Sequence, residues 1–130
     1  MASLQNSLLR SLLLLVFGAA LASAQSATAS LLPLLTHADQ VRHLSTDEAA
    51  LGYPVRIRGV ITDDVPSPDF FVQDSTAGIY VEGSSSPHLE HHWGDLVELE
   101  GLTGPGKFAP VIREQKLHVL GRGQLPQARV

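Results

Sequence analysis

The run HLEHHW places His88, Glu90, His91 and His92 within a few positions of one another. Imidazole and carboxylate are proper ligands for zinc or a similar divalent ion. The run lacks the H-E-x-x-H spacing that sets two histidines on one helix face, and the chain has no cysteine to complete a thiolate site. Adjacent histidines on a polar loop point in different directions. His88, His91 and His92 are therefore weak metal candidates, and no metal or other cofactor is expected. Asp63 and Asp64 form a carboxylate pair, but they sit in a proline-rich turn with no second acid placed for hydrolysis. Gly104-Pro105-Gly106-Lys107 looks like the start of a phosphate loop, yet lacks the G-x-x-x-x-G-K-[ST] frame. No G-x-S-x-G and no Ser–His–Asp arrangement is present. The expectation is a chain that is not an enzyme.

The elements that must position any site are legible as alternation. Residues 53–121 hold five short strand-like runs: YPVRIRGVIT, FFVQD, GIYVEG, GDLVELEG and the pair FAPVI and LHVLG. Strand side chains alternate faces. Val55, Ile57, Ile79, Val81, Val97 and Leu99 are the expected interior, with Arg56, Arg58, Tyr80, Glu82, Glu98 and Glu100 opposite. Asp63 to Pro68 and Asp74 to Gly78 carry turn chemistry. Gly101, Gly104, Pro105 and Gly106 are expected to break the fourth run, and the fifth is expected as two pieces, 109–112 and 117–120. Trp93 is expected to lid one end. Ahead of the strands, residues 35–52 suggest short helices: Ala38, Val41 and Leu44 recur at helical spacing. Ser45 lies three before Glu48, a capping box, and Gly52 suits the position just past a helix end.

Residues 1–24 have the three parts of a secretory signal peptide. Arg10 supplies the positive charge, residues 11–21 the apolar segment, and Ala22-Ser23-Ala24 the small residues before a cleavage point at Gln25. The apolar run of about 11 residues is well short of the roughly 20 that span a bilayer. The chain is therefore expected to be exported to the periplasm or beyond. The mature part is expected to carry no transmembrane segment. Residues 25–34 are expected as an extended leader and 122–130 as a linker or a chain that stops early. Acidic residues outnumber Lys plus Arg by 13 to 9. Losing the leader removes one Arg and makes the chain one unit more acidic, the opposite of a nucleic-acid binder's basic footprint.

The strand ending in RGVIT, the FVQD–GIYV hairpin and the GDLVELEG strand resemble the OB fold. That implies an all-β, small five-stranded Greek-key barrel, here preceded by one or two short helices. More closely, residues 35–129 resemble the exported OB-like domain at the N-terminus of acidobacterial-type membrane sensor proteins, which are histidine kinases and related signal-transduction proteins. The resemblance implies a ligand- or partner-binding sensory domain. The relatives' membrane segment and output domain have no counterpart in these residues. On an OB-like barrel the tentative ligand residues are Arg56, Arg58, Phe70 and Tyr80, because arginine and aromatics can stack on and clamp an anionic or sugar ligand. The competing reading is structural. In OB topology the first strand pairs with the fourth, so the two arginines would lie opposite Glu98 and Glu100 and need no ligand. The partner is a small molecule, a glycan or a membrane sensor. An oligonucleotide-binding domain and a purely structural spacer barrel remain as alternatives.

Overall fold

Alternating apolar residues fold into strands here because each strand buries one face against the others. The computed structural model describes residues 31–63, 68–84 and 91–127. The chain divides into units Met1–Leu32 and Pro33–Val130, and the second carries the fold. The expected leader peptide and His88 lie outside the described residues. In order come α1 (Ala38–Arg42), α2 (Thr46–Ala49), β1 (Pro54–Asp63), β2 (Phe70–Gln73), β3 (Gly78–Glu82), β4 (Asp95–Gly104) and β5 (Val111–Arg122). The strands close into a barrel in the order β1-β2-β3-β5-β4, with β3 and β5 parallel and the other pairs antiparallel. This is the OB-like Greek-key barrel that the resemblance implies. No helix among the described residues is long and apolar enough to cross a membrane.

The six expected interior residues are all buried, joined by Ile61, Phe70, Val72, Ile112 and Leu117. Burying one such side chain contributes about 1.5–3 kcal/mol. The strands depart from the expected breaks at two points. β4 does not break at Gly101 but runs on to Gly104. β5 is one strand, not two pieces. Its register against β4 slips between Glu100 and Gly101 and again between Leu96 and Val97, so Gln115 and Leu120 are extra residues in two bulges. Gly101 marks the first bulge: a Cβ there would collide with the Arg113 carbonyl. Glycine inside a strand often signals such close backbone approach, not a strand end.

The N-terminal segment closes what the strands leave open. β3 and β5 share only two register positions, Val81 with Ile112 and Glu82 with Arg113. α1 packs against both strands, burying Ala38 and Val41. Two of its first amides are capped by the β2–β3 turn: Asp74 Oδ2 accepts from Ala38 N–H at 2.8 Å, and Thr76 Oγ1 accepts from Asp39 N–H at 3.1 Å. Asp74 Oδ1 also accepts from Thr76 N–H, Thr76 Oγ1 and Ala77 N–H, holding the turn itself. α2 has the expected capping box, with Ser45 Oγ accepting from Glu48 N–H and Glu48 Oε2 from Ser45 N–H. These bonds hold the Glu48 carboxyl below its usual range. The link from α2 into β1 is pinned by Thr103, buried in β4, whose Oγ1 donates to Ala49 C=O and accepts from Tyr53 N–H.

For the Asp74 carboxyl, burial is the largest single influence and pushes its pKa up. The bonds from Thr76, Ala38 and Ala77 together outweigh burial and hold it below the usual range. A depressed folded pKa means that its stabilisation is complete above the unfolded value of about 4 and fades as pH falls through the folded value. Asp74→Asn would turn an amide donor towards Ala38 N–H. Urea unfolding at neutral pH should show a loss of about 1–2 kcal/mol, and the fall of stability below about pH 4 should be shallower. An unchanged midpoint and an unchanged acid limb would refute the capping role. Gly101→Ala should cost about 1–3 kcal/mol by overpacking the bulge, read from the same curves.

Candidate functional site

The outer face of β2 and β3 carries an aromatic pair. Phe71 and Tyr80 are cross-strand partners, with ring centroids 5.1 Å apart and planes at 74°. Edge-to-face contact of this kind suits the ring quadrupoles. Phe71 is nevertheless 38% exposed, so its outer side is open. Tyr80 OH donates to Asp69 Oδ2 at 2.6 Å, and Asp69 Oδ1 accepts from Gly83 N–H. That hydrogen bond, with some burial and the charges of Asp69 and Glu82, raises the Tyr80 pKa above its ordinary value. The phenol therefore stays a neutral donor whose ring is fixed in orientation. Glu82 is bonded by Arg113 Nε at 3.3 Å.

Tyr80 stands on the outer face as the sequence suggests, but Phe70 does not. Phe70 is fully buried, opposite Val81, with its ring 4.4 Å from that of His91. The correction is one of phase. Phe70 and Val72 share the interior face, and Phe71 and Gln73 share the exterior one. Polar Gln73 was the signal: its parity marks Phe71, not Phe70, as the surface aromatic. Of the histidines, His91 covers Phe70 at the barrel end. His92 N–H donates to Asp95 Oδ2, which lies 3.8 Å from its Nδ1. Asp95 also accepts from Arg122 Nη1 at 2.9 Å. His91 and His92 thus serve different partners, and among the described residues no three ligands gather for a metal. Trp93 is half exposed.

Arg56 and Arg58 face outwards on β1 and are already paired. The β1–β4 register sets Arg56 opposite Glu100 and Arg58 opposite Glu98, with 2.9 Å contacts in both. β5 adds Lys116 beyond Glu100 and His118 beyond Glu98. Each row therefore reads cation, carboxylate, basic residue across three strands. The Arg58 hydrogen bond, aided by the charges of Arg58, Arg56 and His118, holds the Glu98 carboxyl below its usual range. The four sequence-derived ligand residues thus separate. Two lie in the β1–β4 charge rows, one lies inside, and Tyr80 lies on the β2–β3 face. Among the described residues, no hydrogen bond, ion pair or ring contact joins the arginines to Tyr80.

Exposed cross-strand pairs of opposite charge couple weakly. A double-mutant cycle with Arg58→Ala and Glu98→Ala should give a coupling of about 0.2–1 kcal/mol that shrinks in high salt. The charge swap Arg58→Glu with Glu98→Arg should regain most of what either reversal loses. Zero coupling at low salt would show that the pair is geometric only.

No family model matches the chain, and no curated protein matches it. Solved structures do. The hypothetical protein ygiW from E. coli aligns with TM-score 0.54 and 16% identity, covering 68% of this chain and 90% of that one. The telomere capping protein Ten1 from Saccharomyces pombe aligns with TM-score 0.50 and 9% identity, covering 68% and 80%. The S. pombe Stn1-ten1 complex supplies a match with TM-score 0.51 and 9% identity, covering 68% and 76%. At these identities the likeness is one of fold: the chain is an OB-like module.

Proposed function

We propose that the chain is a non-catalytic, extracytoplasmic OB-like binding module that recognises a neutral ligand, a glycan above all, on its β2–β3 face. The observation that carries this reading is the exposed Phe71–Tyr80 pair. A fixed aromatic edge and face suit the apolar side of a sugar ring, and this strand face is where OB barrels bind oligosaccharides or oligonucleotides. Tyr80 lies beside Asp69 and Glu82, and the chain is acidic overall. Those charges disfavour a polyanion, whose affinity depends on cations contacting phosphate. The leader-like N-terminus supports export. The resemblance to exported domains of membrane sensors supports a sensory role, in which ligand occupancy is passed to a signalling partner.

The second reading is a single-stranded oligonucleotide ligand, because bases also stack on an exposed ring and two fold neighbours come from a telomere capping protein and its complex. A glycan array and a fluorescence titration with single-stranded oligonucleotides at low salt separate the two. Glycan binding is expected, and oligonucleotide binding is expected to be absent or lost by physiological salt. Phe71→Ala should weaken glycan binding by roughly tenfold or more, in line with about 1–3 kcal/mol for a stacking contact. Tyr80→Phe should weaken it less, since the ring stays. Glycan binding unaffected by Phe71→Ala would place the ligand elsewhere. Salt-resistant oligonucleotide binding would favour the second reading. N-terminal sequencing of protein recovered outside the cytoplasm should start at Gln25.

A further inference from the structure

β1 pairs with β4 through Val60 but meets β2 only from Val60 onward. Along a strand, backbone groups turn to alternate sides. Pro54 C=O accepts from Leu35 N–H, and Arg56 N–H donates to Leu35 C=O, so even-numbered residues of β1 turn their backbone groups away from β4. Ile61 C=O accepts from Gly94 N–H, which precedes β4, consistent with the odd set facing that side. On the even side Val60 is the partner of Gln73. Arg58 lies between. Its next rung would be with Ser75 and is not made, because the chain has turned back at Asp74, whose N–H donates to Ala77 C=O. Leu35 cannot continue its own bridge either. The next two amides, Thr36 N–H and His37 N–H, both donate to Gln40 Oε1 and lead into α1. Arg56 C=O, Arg58 N–H and Arg58 C=O therefore face an open wedge and have no partner among the described residues.

The wedge belongs to a cleft between residues 58–60 of β1 and residues 73–76 of the hairpin, with a volume of about 1110 Å³ in its larger part. It reaches Thr36 and His37 at one end and Gln124 and Gln127 at the other. Two carboxylates line it: Asp74, with both oxygens bonded, and Glu98, held by Arg58 Nε. Arg58 reaches Glu98 through Nε, while Nη1 and Nη2 have no partner among the described residues, and the side chain is 69% exposed. The outer guanidinium nitrogens of Arg58, whose Nε is paired with Glu98, can take a second carboxylate, and the open main-chain groups ask for a strand.

We propose that this wedge takes an extended acidic peptide by strand addition, its main chain pairing with Arg58 and a Glu or Asp side chain meeting the free guanidinium nitrogens. Main-chain bonds would give affinity and the carboxylate would give selectivity, the division of labour usual in strand addition. A bidentate carboxylate on the Arg58 fork adds a charge-assisted contact. A second copy of β1 fits poorly, because antiparallel self-pairing would bring Arg56 and Arg58 against their own counterparts. An oligonucleotide lacks the alternating N–H and C=O groups that the edge requires. The proposal stands apart from the β2–β3 glycan reading and can hold or fail without it.

The test is titration of the ¹⁵N-labelled chain with a capped hexapeptide of alternating glutamate and valine. The comparators are the lysine-for-glutamate peptide and two versions N-methylated at either alternate set of amides. Shift changes should centre on residues 56–60 and 73–76, and Arg58 N–H should exchange with solvent at least tenfold more slowly when peptide is bound. One N-methylated version, and the lysine peptide, should bind at least tenfold more weakly. Arg58→Gln should abolish the preference for glutamate over lysine. Arg58→Pro should abolish binding; since that N–H is not used by β4, the ladder itself is spared. Should the proline variant fail to fold, the N-methylated peptides put the same question to the unaltered chain. No shifts at millimolar peptide, shifts centred on Phe71 and Tyr80, or equal binding of both N-methylated versions would each overturn the proposal.

Discussion

One carboxylate ties the β2–β3 turn of the barrel to the helix that covers its seam. Asp74 sits in the turn between β2 and β3, and its two oxygens accept from Thr76, Ala77 and the first amide of α1. Hydrogen bonds to an ionised acceptor are roughly twice as strong as neutral ones. Their position matters more than their strength. The β3–β5 seam has two register positions, too few to seal a core, and α1 covers it with Ala38 and Val41. A helix of five residues has no stability of its own. It persists because the turn caps it and the core takes its apolar side.

That arrangement leaves three outer surfaces with different chemistry. On β1, β4 and β5, basic and acidic side chains alternate in rows and satisfy one another. On β2 and β3, an aromatic pair stands open with Asp69 and Glu82 beside it. Along β1, the detour of the chain into α1 on one side and into the Asp74 turn on the other leaves one residue's backbone without partners among the described residues. The turn that caps the helix over the seam thus also leaves the wedge at Arg58. The same turn cannot both cap the helix and continue pairing with β1.

Much of this was legible in the chain. Each strand's alternation is a property of consecutive residues, so the interior residues of β1, β3 and β4 could be named from the pattern. The Ser45–Glu48 box is likewise local, spanning one turn. The pairing of Arg56 and Arg58 with Glu100 and Glu98 needed one further assumption, the OB strand order. Where local rules compete, the pattern is ambiguous. In the Phe70-Phe71 pair both residues suit a strand, and only the parity of Val72 and Gln73 decides which one is inside. At Gly101 the same residue type ends some strands and bends others. The polar run from Arg113 to Lys116 resembles a gap because its outer face is charged and Gln115 is a bulge.

The sequence by itself determined the strands, the faces of most of them and the cap of α2, because hydrophobic periodicity and capping act over a few residues. Only the tertiary structure decided that Asp74 caps a helix 36 residues earlier in the chain, that His91 covers Phe70, and that Phe71 with Tyr80 replaces Phe70 and the arginines as the open face. It also decided that Arg58 keeps a backbone with no partner among the described residues. These depend on where the chain returns after each turn, and that is fixed by burial of the whole core against the entropy of closing the loops. No window of neighbouring residues contains that balance.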